Sequence, residues 1–319
     1  MRVSRLAIAI GLILIYSQMA IAGEETVVRP VVNVPINTIN AGVMAKGRME
    51  IRLHWKHISM DKLYEDGHRV DPEEVLARGI GKVPENLDTD IALLRVYYGL
   101  GKNFRACVVA PYLKKGLTSL TKNGEVKNSV SGLGDIKLTG KYNFFTSDAG
   151  DQIALHVGVK LPTGSTKEED GNGNKLPPRM QLGTGSTDPF IGVLYTKNWH
   201  PFWLHANIHY TFTTVNPDDY EYGDLLTGDL AFQYQAHRHL ILNMEINEES
   251  AGRDKSHGTE VANTGGSKVF VSPGVQYKPF SGTVFELSYQ APVWQELNGR
   301  QLSEGQRVLL GLKYNFSLL

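Results

Sequence analysis

The 319-residue sequence has a single cysteine, Cys107, so no disulfide can form within the chain and a small disulfide-stapled scaffold is excluded. It also has no charge excess, with 33 basic side chains against 33 acidic ones. Nucleic-acid binders need a basic surplus gathered on one face, so a nucleic-acid partner is excluded too. Long apolar runs are the third absence. Beyond residue 22 none approaches the roughly 18 to 20 residues that a membrane-spanning helix needs. Before it, Arg2 and Arg5 precede the apolar stretch Leu6 to Tyr16, and Ala20-Ile21-Ala22 follows as a small-x-small site. Residues 1–22 therefore read as a secretory signal peptide cleaved before Gly23. No cysteine follows the site, which argues against a lipoprotein anchor. The route points to a bacterial envelope, and any membrane insertion must use strands.

Period-two alternation is what the sequence does have. Met49, Ile51, Leu53 and Trp55 interleave with Glu50, Arg52, His54 and Lys56. Successive strand side chains point to opposite faces, whereas a helix would scatter these residues around its circumference. One face can thus meet hydrocarbon and the other water. Twelve such segments are expected, near 47–58, 88–100, 103–113, 134–145, 151–161, 188–197, 202–213, 224–235, 239–248, 267–277, 283–293 and 306–317. Most are about 10 to 12 residues long, which suits a tilted strand crossing a bilayer.

The connections alternate in length. Gly101-Lys102 and Ala236-His237-Arg238 are brief, while Thr163 to Thr187 and Glu249 to Ser267 are long, polar and rich in glycine. Short turns on one side and long loops on the other are the pattern of outer-membrane barrels. The fold class expected is all-β: a transmembrane antiparallel up-and-down β-barrel of about twelve strands over residues 47–319, in the bacterial outer membrane with lipid around it. A soluble sheet with one buried face shares the alternation, but strand length and end-loaded aromatics argue against it. Trp55, Tyr112, Tyr210, Phe212 and Tyr289 fall near the extracellular ends, and Tyr98, Phe144, Tyr234, Tyr314 and Phe316 near the periplasmic ends. Residues 23–46 are expected to form an N-terminal periplasmic segment or a plug folded into the lumen.

Three pieces resemble a known family. They are Ser131-Gly132-Leu133-Gly134-Asp135-Ile136, then Gly158-Val159-Lys160-Leu161-Pro162-Thr163-Gly164-Ser165, then Leu182-Gly183-Thr184-Gly185-Ser186 with Asp188 and Pro189. With Ala45 to Glu50 and Tyr98-Gly99-Leu100 they look like the outer-membrane transporters called "MetA-pathway of phenol degradation" proteins. The resemblance implies a barrel associated with uptake of aromatic or other hydrophobic small molecules, and it brings no catalytic residues. Outer-membrane barrels typically end on an aromatic residue read by the barrel assembly machinery. Here Ser317-Leu318-Leu319 follow Phe316, while Gly311, Tyr314 and Phe316 keep the spacing of such a signal.

The inward face is the place for selectivity. Lumen candidates are Arg52, His54, Lys56, Arg95, Arg105, Lys137, Lys141, His156, Lys160, His205, His209, Glu245, Glu286 and Arg307. With Lys313 the inward face counts nine basic groups, against four acidic ones, Glu50, Asp229, Glu245 and Glu286. Rings of charge bias ion passage, so an open lumen is expected to prefer anions mildly. Internal ion pairing that closes the pore is the alternative. His54, His156, His205 and His209 read as polar lumen residues; a zinc site needs three or four close ligands. Asp170-Gly171-Asn172-Gly173-Asn174 imitates the start of a calcium loop, but Lys175 and Gln181 stand where that loop needs Gly and Glu. Neither cofactor nor metal is expected.

The function expected is passive passage of small-molecule solutes, hydrophobic or aromatic compounds among them. A non-conducting structural or surface-interaction barrel is the alternative. A third reading is a barrel lipid hydrolase, since His57 and Ser59 have the His-x-Ser spacing of outer-membrane phospholipase A. The Asn-Gly that follows in that enzyme is missing here, so no catalytic residue is assigned and the chain is read as no enzyme.

Overall fold

A computed structural model describes residues 34–318; the expected signal peptide and its cleavage site lie outside the described residues. Twelve long strands build the wall: β1 (Arg48–Met60), β2 (Lys82–Gly99), β3 (Phe104–Thr121), β4 (Lys137–Thr146), β5 (Gln152–Lys160), β6 (Asp188–Trp199), β7 (Phe202–Thr211), β8 (Leu225–His237), β9 (Leu240–Ala251), β10 (Gly266–Tyr277), β11 (Thr283–Leu297) and β12 (Arg307–Ser317). Each pairs antiparallel with its neighbours, and β1 closes on β12 from Arg48 opposite Ser317 to Ile58 opposite Arg307. Closure matters physically, because an open edge in hydrocarbon would leave a row of unpaired amides and carbonyls.

The alternation sorts side chains in the inverse of a soluble protein. On β1 the guanidinium-bearing Arg52 is 5% exposed, while its neighbours Leu53 and Trp55 are 52% and 41% exposed. Among the largest fully buried side chains are Lys141, His205, Gln233, Glu245, Gln276 and Gln290. Leu94, Val108, Leu138, Val157, Ile191, Leu242, Met244, Leu287 and Leu310 stay exposed on the outer surface. Such a belt is stable only against acyl chains. Aromatics bracket it: Trp55 and Tyr112 flank Ala92 in register toward one rim, and Tyr314 stacks on Phe316 toward the other.

The extracellular side departs from the expected loops most in two places, besides a small sheet of Tyr220–Glu221, Lys255–Ser256 and Thr259–Glu260 and the strand Arg300–Ser303. β3 continues past residue 113 and pairs with a strand at Gly124–Leu133, which projects as an extension of β4. Its turn ends on Asn123 and Gly124, the latter at φ +106°, and Asn-Gly between alternating segments is a hairpin signal. The link from β1 to β2 carries short strands Lys62–Glu65 and His68–Arg69 and a helix, α1 (Pro72–Ala77). Asp71 caps α1 by accepting the Glu73 amide, Pro72 opens it and Glu73 and Glu74 occupy its first turn, so one turn and a half of helix forms without apolar periodicity.

Candidate functional site

The lower half of the lumen is occupied by the chain's own N-terminal segment. Residue 99 must be glycine for this path: a Cβ there would lie 2.0 Å from the Ala45 carbonyl, where the segment bends inward beneath β1. Residues 34–41 then cross the barrel and bond to its far walls. The Val34 carbonyl accepts from Gln276 at 2.8 Å on β10 and Lys313 at 3.2 Å on β12. Glu245 on β9 accepts the amides of Ile36, Asn37 and Thr38 and the Thr38 hydroxyl. Asn207 on β7 donates to the Ile39 carbonyl, Lys141 on β4 to the Asn40 carbonyl, and Ala41 donates to Thr196 on β6. Burying a carboxylate is tolerable only when several donors replace its water, and the Glu245 carboxylate has four.

The remaining lumen candidates divide into partnered and unpartnered groups. Arg52 pairs with Glu50 and lies 4.8 Å from the Tyr97 ring, with Arg105 at 4.3 Å from that ring. His54 Nε2 is 2.8 Å from Glu286, whose second oxygen is 2.5 Å from Lys313. Arg95 reaches His54 Nδ1. An arginine only donates, so Nδ1 accepts, the proton sits on Nε2 and the ring is neutral. His156 and His209 share one hydrogen bond of 2.9 Å, whereas His205 bonds Thr196 and Gln233. The histidines thus do not converge as one ligand set. Lys160 pairs with Asp188, with Asp135 at 3.8 Å. Arg307 grips Glu249 and Glu304 and lies 3.8 Å from the Phe270 ring. Lys56 and Lys137 face inward with no carboxylate in ion-pairing range among the described residues.

Counting charge from the sequence overlooked Asp135, Asp188, Glu249 and Glu304. Glu249 and Glu304 lie beyond the expected strand ends, where alternation assigns no face, and Asp135 and Asp188 lie at the starts of expected segments; all four turn inward, and they neutralise Lys160, Arg307 and Lys268. The expected surplus of nine basic groups over four acidic ones is therefore smaller.

Above the lumen, the three motif pieces meet in one clasp. The Asp135 carboxylate accepts the Gly164 amide at 2.9 Å and the Thr184 amide at 2.8 Å. Ser165 accepts the amides of Leu182 and Gly183. The strands cross so closely that a Cβ on Gly183 would lie 2.4 Å from the Gly164 carbonyl. The clasp folds loop 161–187 over the barrel mouth, where Leu176, Met180 and Leu182 pack on Leu87, Leu117 and Val130 as an apolar lid. Lys115 ties the lid to β3 through the carbonyls of Arg179 and Gln181.

The family model described as "Putative MetA-pathway of phenol degradation" matches residues 86–305, which contain the whole clasp. The chain belongs to this family. The COG4313 outer membrane channel from Pseudomonas putida F1 is similar at 16% identity and TM-score 0.63, covering 88% of this chain and 100% of that one. The TodX deltaS2S3 mutant, a monoaromatic hydrocarbon channel, is similar at 10% identity and TM-score 0.48, covering 86% and 91%. No curated protein matches. Family and fold together place the chain in the bacterial outer membrane.

On the outer face, His57 Nδ1 is 2.9 Å from Asp90, directly opposite on β2. No hydrogen bond joins the Ser59 hydroxyl to His57 among the described residues.

Proposed function

We propose that this family member is an outer-membrane channel for passive passage of small molecules, hydrophobic or aromatic ones among them, with residues 34–44 acting as a plug. The observation that carries the reading is the change of lining along the axis. The periplasmic half is polar and bonded to the N-terminal segment, whereas in the extracellular half the β2–β3 wall presents Ile91, Leu93, Val109 and Leu113 inward beneath an apolar lid, facing ion-paired side chains on the other strands. A barrel serving only as a scaffold has no use for a half-buried apolar wall facing its own lumen. The plug is held by these hydrogen bonds together with a small apolar contact, Ile39 and Ala41 packing on Ala154 and Leu194. Lipid contacts the outer belt. The barrel assembly machinery is proposed to read the C-terminal strand that bears Tyr314 and Phe316. The test is single-channel conductance and liposome flux of toluene with and without deletion of residues 24–45. Flux that rises on deletion supports the channel; a deletion variant no more permeable than protein-free liposomes favours the non-conducting barrel.

A further inference from the structure

We infer that the lumen above the plug contains a binding site for a small organic monoanion, a carboxylate with an apolar body, seated between Lys56, Arg95 and Lys137. The inference deepens the channel reading and rests on it for the route by which such a solute arrives, yet binding is measurable without passage.

Three observations support it. First, the strands bring these cations together. Arg95 on β2 is opposite Val109 on β3, and Val109 is opposite Lys137 on β4, so two cations flank one apolar residue in a single register row. Lys56 stands four residues beyond Arg52 on the same inward face, and Arg52 is itself opposite Arg95.

Second, among the described residues the acidic groups nearby are already engaged. Glu286 is shared by Lys313 and His54, Glu50 holds Arg52, Glu249 and Glu304 hold Arg307, and Asp188 holds Lys160. Asp135, two residues before Lys137, is held by the Gly164 and Thr184 amides, and Asp188 lies beyond Lys160, so the two offset only part of the Lys137 charge. Arg95 hydrogen-bonds a neutral imidazole, which does nothing for its charge. Like charges enclosed by a low-dielectric wall repel one another strongly, and an anion between them relieves that repulsion.

Third, space and lining are suited to an amphiphile. Lys137 is exposed although it points inward, so the lumen beside it is open. Ile91, Leu93 and Val109 are half-buried next to it, with Leu309 opposite Lys56. That wall has few hydrogen-bonding groups, which disfavours a sugar acid and suits an aromatic or aliphatic body.

The experiment is isothermal titration of the detergent-solubilised full barrel with benzoate, its neutral isostere benzamide, and inorganic phosphate. Benzoate is expected to bind about tenfold or more tighter than benzamide at low salt, with the difference collapsing at about 1 M NaCl. Arg95→Gln is expected to weaken benzoate about tenfold and leave benzamide unchanged. If that variant fails to give the heat-modifiable folded band, the double variant Lys56→Gln, Lys137→Gln takes its place. Benzoate binding no tighter than benzamide, or unchanged in the variants, overturns the site. Phosphate competing as well as benzoate overturns the apolar body. Binding without liposome flux leaves the site standing and removes the channel, while flux without charge-dependent binding does the reverse.

Discussion

Thr38 reaches Glu245 twice, through its amide and its hydroxyl, each 2.7 Å from the same carboxylate oxygen, across 207 positions of sequence. That carboxylate is the principal anchor of the segment crossing the lumen. Hydrogen bonds to a charged group contribute about 1.5 to 3 kcal/mol each, so Glu245→Ala is expected to raise the population of the unplugged state by about tenfold or more. Single-channel recordings should show a larger or more frequent open level. Conductance identical to wild type would mean that the segment does not gate the lumen.

The clasp supplies a second prediction. Asp135→Ala removes the acceptor of two backbone amides, and Gly183→Ala forces the Gly164 carbonyl aside; each is expected to cost about 1 to 3 kcal/mol. Limited proteolysis should cut loop 161–187 faster in both variants while the β-wall stays folded, read as an unchanged heat-modifiable band.

Acid should loosen the extracellular rim. Burial alone would raise the Glu304 carboxyl in the loop before β12, but Lys268 and Arg307 beside it hold it down at about 2. A carboxylate depressed in the folded state stabilises fully above its ordinary value of 4.5 and loses that contribution as pH falls toward 2. Hydrogen exchange of residues 298–306 is expected to be flat between pH 7 and 5 after correction for intrinsic rates, then to rise below 4.5. Glu304→Gln should remove this acid dependence and give fast exchange throughout.

Leu53 sits between the two aromatic rims on β1 with its side chain outward. Leu53→Arg is expected to destabilise the barrel in bilayers by about 2 to 4 kcal/mol, the range for a lipid-facing arginine near the midplane. Urea unfolding in vesicles reads the difference, and a cost near zero would place this face in water.

The outward His57 and Asp90 hold one another, but Ser59 is not engaged by the imidazole. Phospholipid vesicles incubated with the folded protein should therefore show no fatty-acid release above background. Release that Ser59→Ala abolishes would make the barrel a lipase.

Most of the wall was legible because alternation acts between residues two apart and survives any neighbour. Each of the twelve expected segments coincides with a strand, with most ends displaced by a few residues, though β2 begins at Lys82 rather than 88 and β3 runs to Thr121 rather than 113. The hairpin over residues 114–133 was missed although Asn123-Gly124 marks its turn, because its strands are rich in lysine, serine and threonine and carry little apolar contrast. α1 was missed for a similar reason, though Asp71-Pro72-Glu73-Glu74 is a start signal. Glu249 and Glu304 lay beyond the expected strand ends, so no periodicity could assign them a face.

The sequence by itself determined that strands form and which face of each is oily, since both follow from the chemistry of adjacent positions. Only the tertiary structure decided which cation meets which carboxylate, that residues 34–41 cross the lumen, and that Lys56, Arg95 and Lys137 have no acidic partner among the described residues. Those outcomes depend on register and strand tilt around a closed ring, where a shift of one residue in a single pairing would redirect every inward side chain of that strand.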